Sequence, residues 1–160
     1  MHKITAIAAE RVLIYVIKQL SVFVENQPGR LAEVTDVLSK NDIDIRALSI
    51  ADTTNFGILR LIVDHPARAE SRLKEQGFTV SQTDVIGVGI TDQPGGLAVA
   101  LRILADEGIT VEYMYAFVSK AEKTAFVILR VENNAQAEQV LSAKGIPILS
   151  SEDVLLRSRL

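Results

Sequence analysis

Cysteine is missing from all 160 residues. That absence removes disulfide frameworks, thiolate nucleophiles, iron–sulfur clusters and thiolate zinc sites together. Histidine is nearly missing too. His2 and His65 stand far apart, so a His-based metal site or catalytic triad has almost nothing to be built from. A basic excess is also lacking: 17 Lys and Arg face 20 Asp and Glu, for a net charge of -3 and a pI near 5.4. Proteins that neutralise phosphates need the opposite balance, so neither nucleic acid nor an acidic membrane is an expected partner. No run of six like charges occurs, which leaves no charged tail.

Long apolar runs are absent as well. Ile4, Ile7, Val12, Leu13 and Ile14 come nearest, but Glu10 and Arg11 interrupt them. The stretch is too short and too charged to span a bilayer. Its only early cation is Lys3 and no clear cleavage site follows, unlike a secretory signal. Residues 1–16 are expected to be an N-terminal extension, either helical or an added strand, with the first domain beginning near Val16. Zero cysteine is compatible with the cytoplasm, the expected location.

What is present is a repeat. Gln27-Pro28-Gly29 returns as Gln93-Pro94-Gly95, an offset of 93 − 27 = 66. The same offset carries Val22 to Val88, Leu31-Ala32 to Leu97-Ala98, Leu38 to Leu104 and Ile43 to Ile109. Further on, Ile58-Leu59-Arg60 matches Ile128-Leu129-Arg130, and Gly77-Phe78 matches Gly145-Ile146. A string of matches in one order, preserving apolar positions, indicates duplication.

Each copy reads alike. Leu20, Val22 and Val24 alternate with Ser21, Phe23 and Glu25 as in a strand. Leu31, Val34 and Leu38 follow helical spacing, with a stop near Asn41-Asp42. Residues 43–51 and 56–63 form a hairpin about Asp52-Thr53-Thr54-Asn55, a helix opens at Asp64-His65-Pro66, and a last strand covers residues 78–82. In the second copy the elements fall at 85–91, from Leu97 to Gly108, at 109–118, 124–131, from Ala137 to Gly145, and in a final strand from Pro147. The fold class is therefore α+β: two ferredoxin-like βαββαβ units, over 17–84 and 85–160, packed side by side with helices on one face of antiparallel sheets. Only Thr83 and Asp84 are left to link them.

The strand-to-helix turns, Asn26-Gln27-Pro28-Gly29-Arg30-Leu31 and Asp92-Gln93-Pro94-Gly95-Gly96-Leu97, carry the functional signal. Asn26 or Asp92 can cap the helix, Pro costs no useful donor, and Gly admits a close backbone approach. Free N–H groups at the helix start suit a carboxylate, while a neighbouring carboxamide or carboxylate suits an ammonium. That is a cradle for a zwitterion. Tight strand-to-helix turns favour the same residues for structural reasons alone.

The pattern Asn/Asp-x-Pro-Gly-x-Leu between a strand and an amphipathic helix resembles the ACT domain, as does the helix ending before Ile43-Asp44-Ile45 or Ile109-Thr110-Val111. The resemblance covers residues 17–160 and implies regulatory βαββαβ modules that bind amino acids and pair through adjoining sheets. It implies one site from Asn26 to Leu31 with Ile109, Thr110 and Val111, and another from Asp92 to Leu97 with Ile43, Asp44 and Ile45. Arg30 stands where the second copy has Gly96, so the first pocket is expected to be narrower or to prefer an extra anionic group. ACT units usually regulate an attached catalytic domain, and none is evident here. The expectation is a non-enzymatic sensor of a free amino acid, forming a homodimer, with a metabolic enzyme as a further partner and no cofactor or metal. The alternative is a ligand-independent adaptor.

Other signals are weaker. Gly87-Val88-Gly89 opens like a dinucleotide fingerprint, but Asp92 stands at the third glycine, so these glycines thin a strand face for packing. His65 reads as a solvated loop residue. Tyr113, Tyr115 and Phe117 share one strand face as packing residues, and Arg60 and Arg130 read as exposed or ion-paired. Acyl-phosphate hydrolysis through Arg30 lacks a supporting constellation, and RNA binding lacks paired aromatics and a basic surface.

Overall fold

The computed structural model describes residues 15–53, 55–119 and 123–157. The expected N-terminal extension thus lies almost wholly outside the described residues. The chain divides into two compact units, one spanning Lys18–Thr83 and one beginning at Asp84, with the described residues 15–17 grouped with the latter.

In the N-terminal unit, β1 (Ile17–Glu25) leads through a tight turn into α1 (Arg30–Lys40). β2 (Ile45–Asp52) and β3 (Phe56–Val63) form a hairpin, α2 (Pro66–Glu75) follows, and β4 (Thr79–Thr91) begins. β3 lies between β1 and β2 and is antiparallel to both; Leu61 stands opposite Leu20 on one side and Leu48 on the other. Strand periodicity puts Leu20, Val22 and Val24 on one face, where they meet Val34 and Leu38 of α1 and Ala69 and Leu73 of α2. Burying a side chain such as Leu38 stabilises the fold by roughly 1.5–3 kcal/mol.

The C-terminal unit repeats the plan. α3 (Gly96–Asp106), β5 (Val111–Ser119), β6 (Thr124–Val131), α4 (Asn134–Ala143) and β7 (Ile148–Leu149) follow β4. β6 pairs with β4 and β5, and β7 pairs with β4, all antiparallel, giving the ferredoxin-like order β7-β4-β6-β5. Ile86, Val88, Ala100, Leu104, Val127, Leu129 and Leu141 build its core. The fold class is the one read from the sequence.

Three sequence expectations are corrected. Thr83 and Asp84 are not a linker, because β4 runs through them as one 13-residue strand. The final strand is only Ile148–Leu149, and a helix, α5 (Ser151–Arg157), replaces the expected continuation. Ser150 and Asp153 form a capping box there: the Ser150 hydroxyl accepts from the Asp153 N–H at 3.0 Å, and the Asp153 carboxylate accepts from the Ser150 N–H at 2.9 Å.

The third correction concerns the repeat itself. Leu59 pairs with Val22 and Val127 with Val88, so β3 maps onto β6 at an offset of 127 − 59 = 68. The matching Ile-Leu-Arg triplets differ by 128 − 58 = 70 and are not structural equivalents. A slip of two residues keeps every side chain on its face, which is why the burial pattern did not expose it.

Candidate functional site

Asn26 leaves β1 and is tied to the hairpin. Its N–H donates to the Asn55 carbonyl at 3.1 Å, and its Nδ2 donates to Asp52 Oδ1 at 2.8 Å and the Thr53 carbonyl at 2.9 Å. With Nδ2 committed twice, Oδ1 is the atom of this carboxamide that can accept. Asn26 therefore does not cap α1 as expected. The N-cap is Gly29, left-handed at φ 88°, and no side chain caps the helix. Pro28 precedes the cap and fixes the entry of the chain. The second turn is built alike: the Asp92 N–H donates to the Lys123 carbonyl at 2.9 Å, and Gly95 is an uncapped N-cap at φ 89°.

The first helical N–H of each turn is used locally, Arg30 on the Gln27 carbonyl and Gly96 on the Gln93 carbonyl. Intrahelical bonding begins with Glu33 on Gly29 and Val99 on Gly95. Between them, the N–H groups of Leu31 and Ala32, and of Leu97 and Ala98, have no carbonyl one turn back within the helix.

Beside the first turn lies a cavity of about 180 Å³. Asn26, Gln27 and Leu31 line it, joined by Val24, Glu25, Ile50, Gly57 and Leu59, which the sequence reading did not select. The signal was available in Gly57, the one residue without a side chain in a strand that is apolar apart from Arg60. Arg30 does not line this cavity. Its guanidinium lies over the Phe78 ring, 4.7 Å from the centroid, and pairs with Glu33. The second turn opens the other way, onto a cavity of about 340 Å³ lined by Gln93 to Gly96 and by Gly145, Ile146 and Pro147. Ile146 is the counterpart of Phe78 (146 − 78 = 68). Gly96 is held there by its backbone, since a Cβ would fall 2.1 Å from the Thr91 carbonyl oxygen.

Ile43, Asp44 and Ile45 gather at a third, open cavity of about 570 Å³ together with Asp64 and His65. Within the unit, the 11 residues of α1 separate this end from the Asn26 turn by about 16 Å. Ile43 is buried, while Asp44 is exposed and donates its N–H to Asp64 Oδ1 at 3.0 Å. Burial raises the pKa of Asp64, but the His65 ring, the Asp44 N–H and Arg46 more than offset this and hold it below the usual aspartate range. His65 is exposed, as expected of a loop residue, with Nδ1 3.0 Å from Asp64. In the C-terminal unit, Ile109 and Val111 pack against the core, and Thr110 is exposed. Leu97 is partly buried against that core, whereas Leu31 is 45% exposed.

The family model for the ACT domain pair matches residues 15–156. The chain belongs to the ACT domain pair family. It is similar to protein BT0572 from Bacteroides thetaiotaomicron, at 43% identity over 88% of this chain and 96% of that one, with a TM-score of 0.83. The fold is shared with the ligand-free regulatory subunit of aspartate kinase from Thermus thermophilus, at 19% identity, 82% and 94% coverage and a TM-score of 0.60. The corresponding subunit from Thermus flavus shares it too, at 16% identity, 81% and 90% coverage and a TM-score of 0.61. No curated protein matches the chain. Among the described residues of this ACT pair, no helix is long and apolar enough to cross a membrane.

Proposed function

We propose that this ACT pair is a regulatory protein that senses a free amino acid. The observation that carries the reading is the first turn: a fixed carboxamide oxygen, an uncapped helix start and an apolar-walled cavity meet there. The Leu31 and Ala32 N–H groups take the ligand carboxylate, assisted by the helix dipole. Asn26 Oδ1 takes the ammonium. Nothing in this arrangement activates a nucleophile or shuttles a proton, so the outcome of binding is a shift between conformations that differ in affinity for the ligand. The regulated partner is a metabolic enzyme, in keeping with the relatives described as regulatory subunits of aspartate kinase.

A thermal-shift screen of the twenty amino acids tests this. Ligand at 100-fold its Kd adds about 2.7 kcal/mol to the native state. For a chain of this size the midpoint should rise on the order of 5–10 °C. A flat response across the panel excludes the sensor.

The adaptor reading is favoured by one separate observation. Leu48 and Ile50 of the hairpin strand β2 are 48% and 49% exposed, and apolar residues on such a strand mark a protein-binding edge. Under that reading a partner enzyme or a second copy of the chain co-purifies equally well with and without amino acids.

A further inference from the structure

The two turns descend from one ancestor but open onto different spaces, and the one between helix start and hairpin is found at the first turn alone among the described residues. At the offset of 68 fixed by strand pairing, Gly57 corresponds to Ala125 and Leu59 to Val127. At the offset of 66, Leu31 corresponds to Leu97 and Ile50 to Ala116. In the C-terminal unit, Leu97 and Ala125 both pack on the core. In the N-terminal unit, Leu31 stands away from the core and Gly57 has no side chain, and the cavity of about 180 Å³ is found there.

The chemistry of that cavity differs from end to end. Glu25, Asn26 and Gln27 line it at the turn, and among the described residues its remaining walls are the aliphatic side chains of Val24, Leu31, Ile50 and Leu59 around Gly57. A charged or strongly polar side chain would lose its water against those walls, with only the turn residues Asn26 and Gln27 beside it to compensate. The volume lies below the roughly 300–1,000 Å³ of drug-sized sites and suits a single small side chain. A Cβ at Gly57 would sit 3.5 Å from Asn26 Oδ1 and 3.7 Å from Ile50 Cγ2, ordinary contact distances, and Gly57 is not in the left-handed region. A side chain can therefore be added at Gly57 from within, into the space the ligand would use.

We infer that the N-terminal unit holds a site selective for one aliphatic amino acid, of the valine, leucine or isoleucine class, and that Ala125 and Leu97 close the corresponding place in the C-terminal unit. This rests on the sensor reading above and adds the ligand class and the stoichiometry. One equivalent binds per chain.

Calorimetric titration of the full chain with leucine, isoleucine and valine, against aspartate, lysine and threonine, is the test. The expected result is one equivalent of an aliphatic amino acid per chain, with the three comparators bound at least tenfold more weakly. Gly57→Val should lower the affinity at least tenfold, with an unliganded melting temperature that shows the fold intact. Leu31→Asp, at an exposed position, should give the same loss by placing a carboxylate in the wall. Ala125→Gly should leave the first-site affinity unchanged. A preference for a polar or charged amino acid, two equivalents per chain, or affinity surviving both Gly57→Val and Leu31→Asp overturns this inference and leaves the sensor standing. If no amino acid binds at all, both fall.

Discussion

Gly29 and Gly96 both belong to the repeated turn, one position out of register with each other, and they answer to different constraints. Gly29 sits at φ 88° with open space around its missing Cβ, so only backbone strain opposes a side chain. Gly29→Ala should cost about 1–2 kcal/mol, and Gly29→Asn less, because Asn tolerates the left-handed region. At Gly96 any Cβ meets the Thr91 carbonyl. Gly96→Ala and Gly96→Asn should therefore both be destabilising, by about 1–3 kcal/mol. Urea denaturation of the four variants separates strain, which Asn relieves, from collision, which it does not. Asp64 makes a prediction of its own. Its folded pKa lies below the ordinary value, so its contribution is complete above the unfolded value and disappears as pH falls through the folded one. Asp64→Asn should cost about 1 kcal/mol at neutral pH, and the gap to the unsubstituted protein should close in acid. A gap that widens on acidification would refute the assignment. The sequence displayed the turns clearly, because Pro fixes φ and Gly reaches the left-handed region, both of which are local properties. It did not display that Asn26 spends its amide on Asp52 and Thr53, since those partners lie 26 and 27 residues away.

Helices and strands were legible wherever periodicity was long. β3 and β6 fall on the residues read as the returning strands of the two hairpins, and α1 stops at Asn41 as its sequence suggests. The end of the chain departs from the repeat: residues 147–150 match the strand after Phe78 by position, but Ser150-Ser151-Glu152-Asp153 carries a helix-start signal that the first copy lacks. That tetrad is a capping box followed by Val154-Leu155-Leu156, and the reciprocal bonds start α5 two residues after β7 ends. Ser150→Ala or Asp153→Ala should cost about 0.5–2 kcal/mol. Amide exchange should show the loss concentrated in residues 151–157, and protection there unchanged in both variants would argue that packing of Val154, not the cap, holds α5 in place.

For the molecule as a whole, each unit buries its own cluster of apolar side chains. Leu38 and Leu104 occupy the same place in the two copies (104 − 38 = 66), and each is 1% exposed. Leu38→Ala and Leu104→Ala should each cost about 2–5 kcal/mol. Hydrogen exchange should place the lost protection of each variant in α1 and α2 or in α3 and α4 respectively; loss spread evenly over all four helices would mean that the units open as one. The mismatch between lettered repeat and ladder repeat has a practical edge for anyone who splices these halves. A chimera that grafts β3 in place of β6 by its Ile-Leu-Arg letters would slide the insert two residues, about 7 Å along its neighbours. Its greasy side would still point inward, and composition would give no warning. The joints at both ends would be cut to the wrong length.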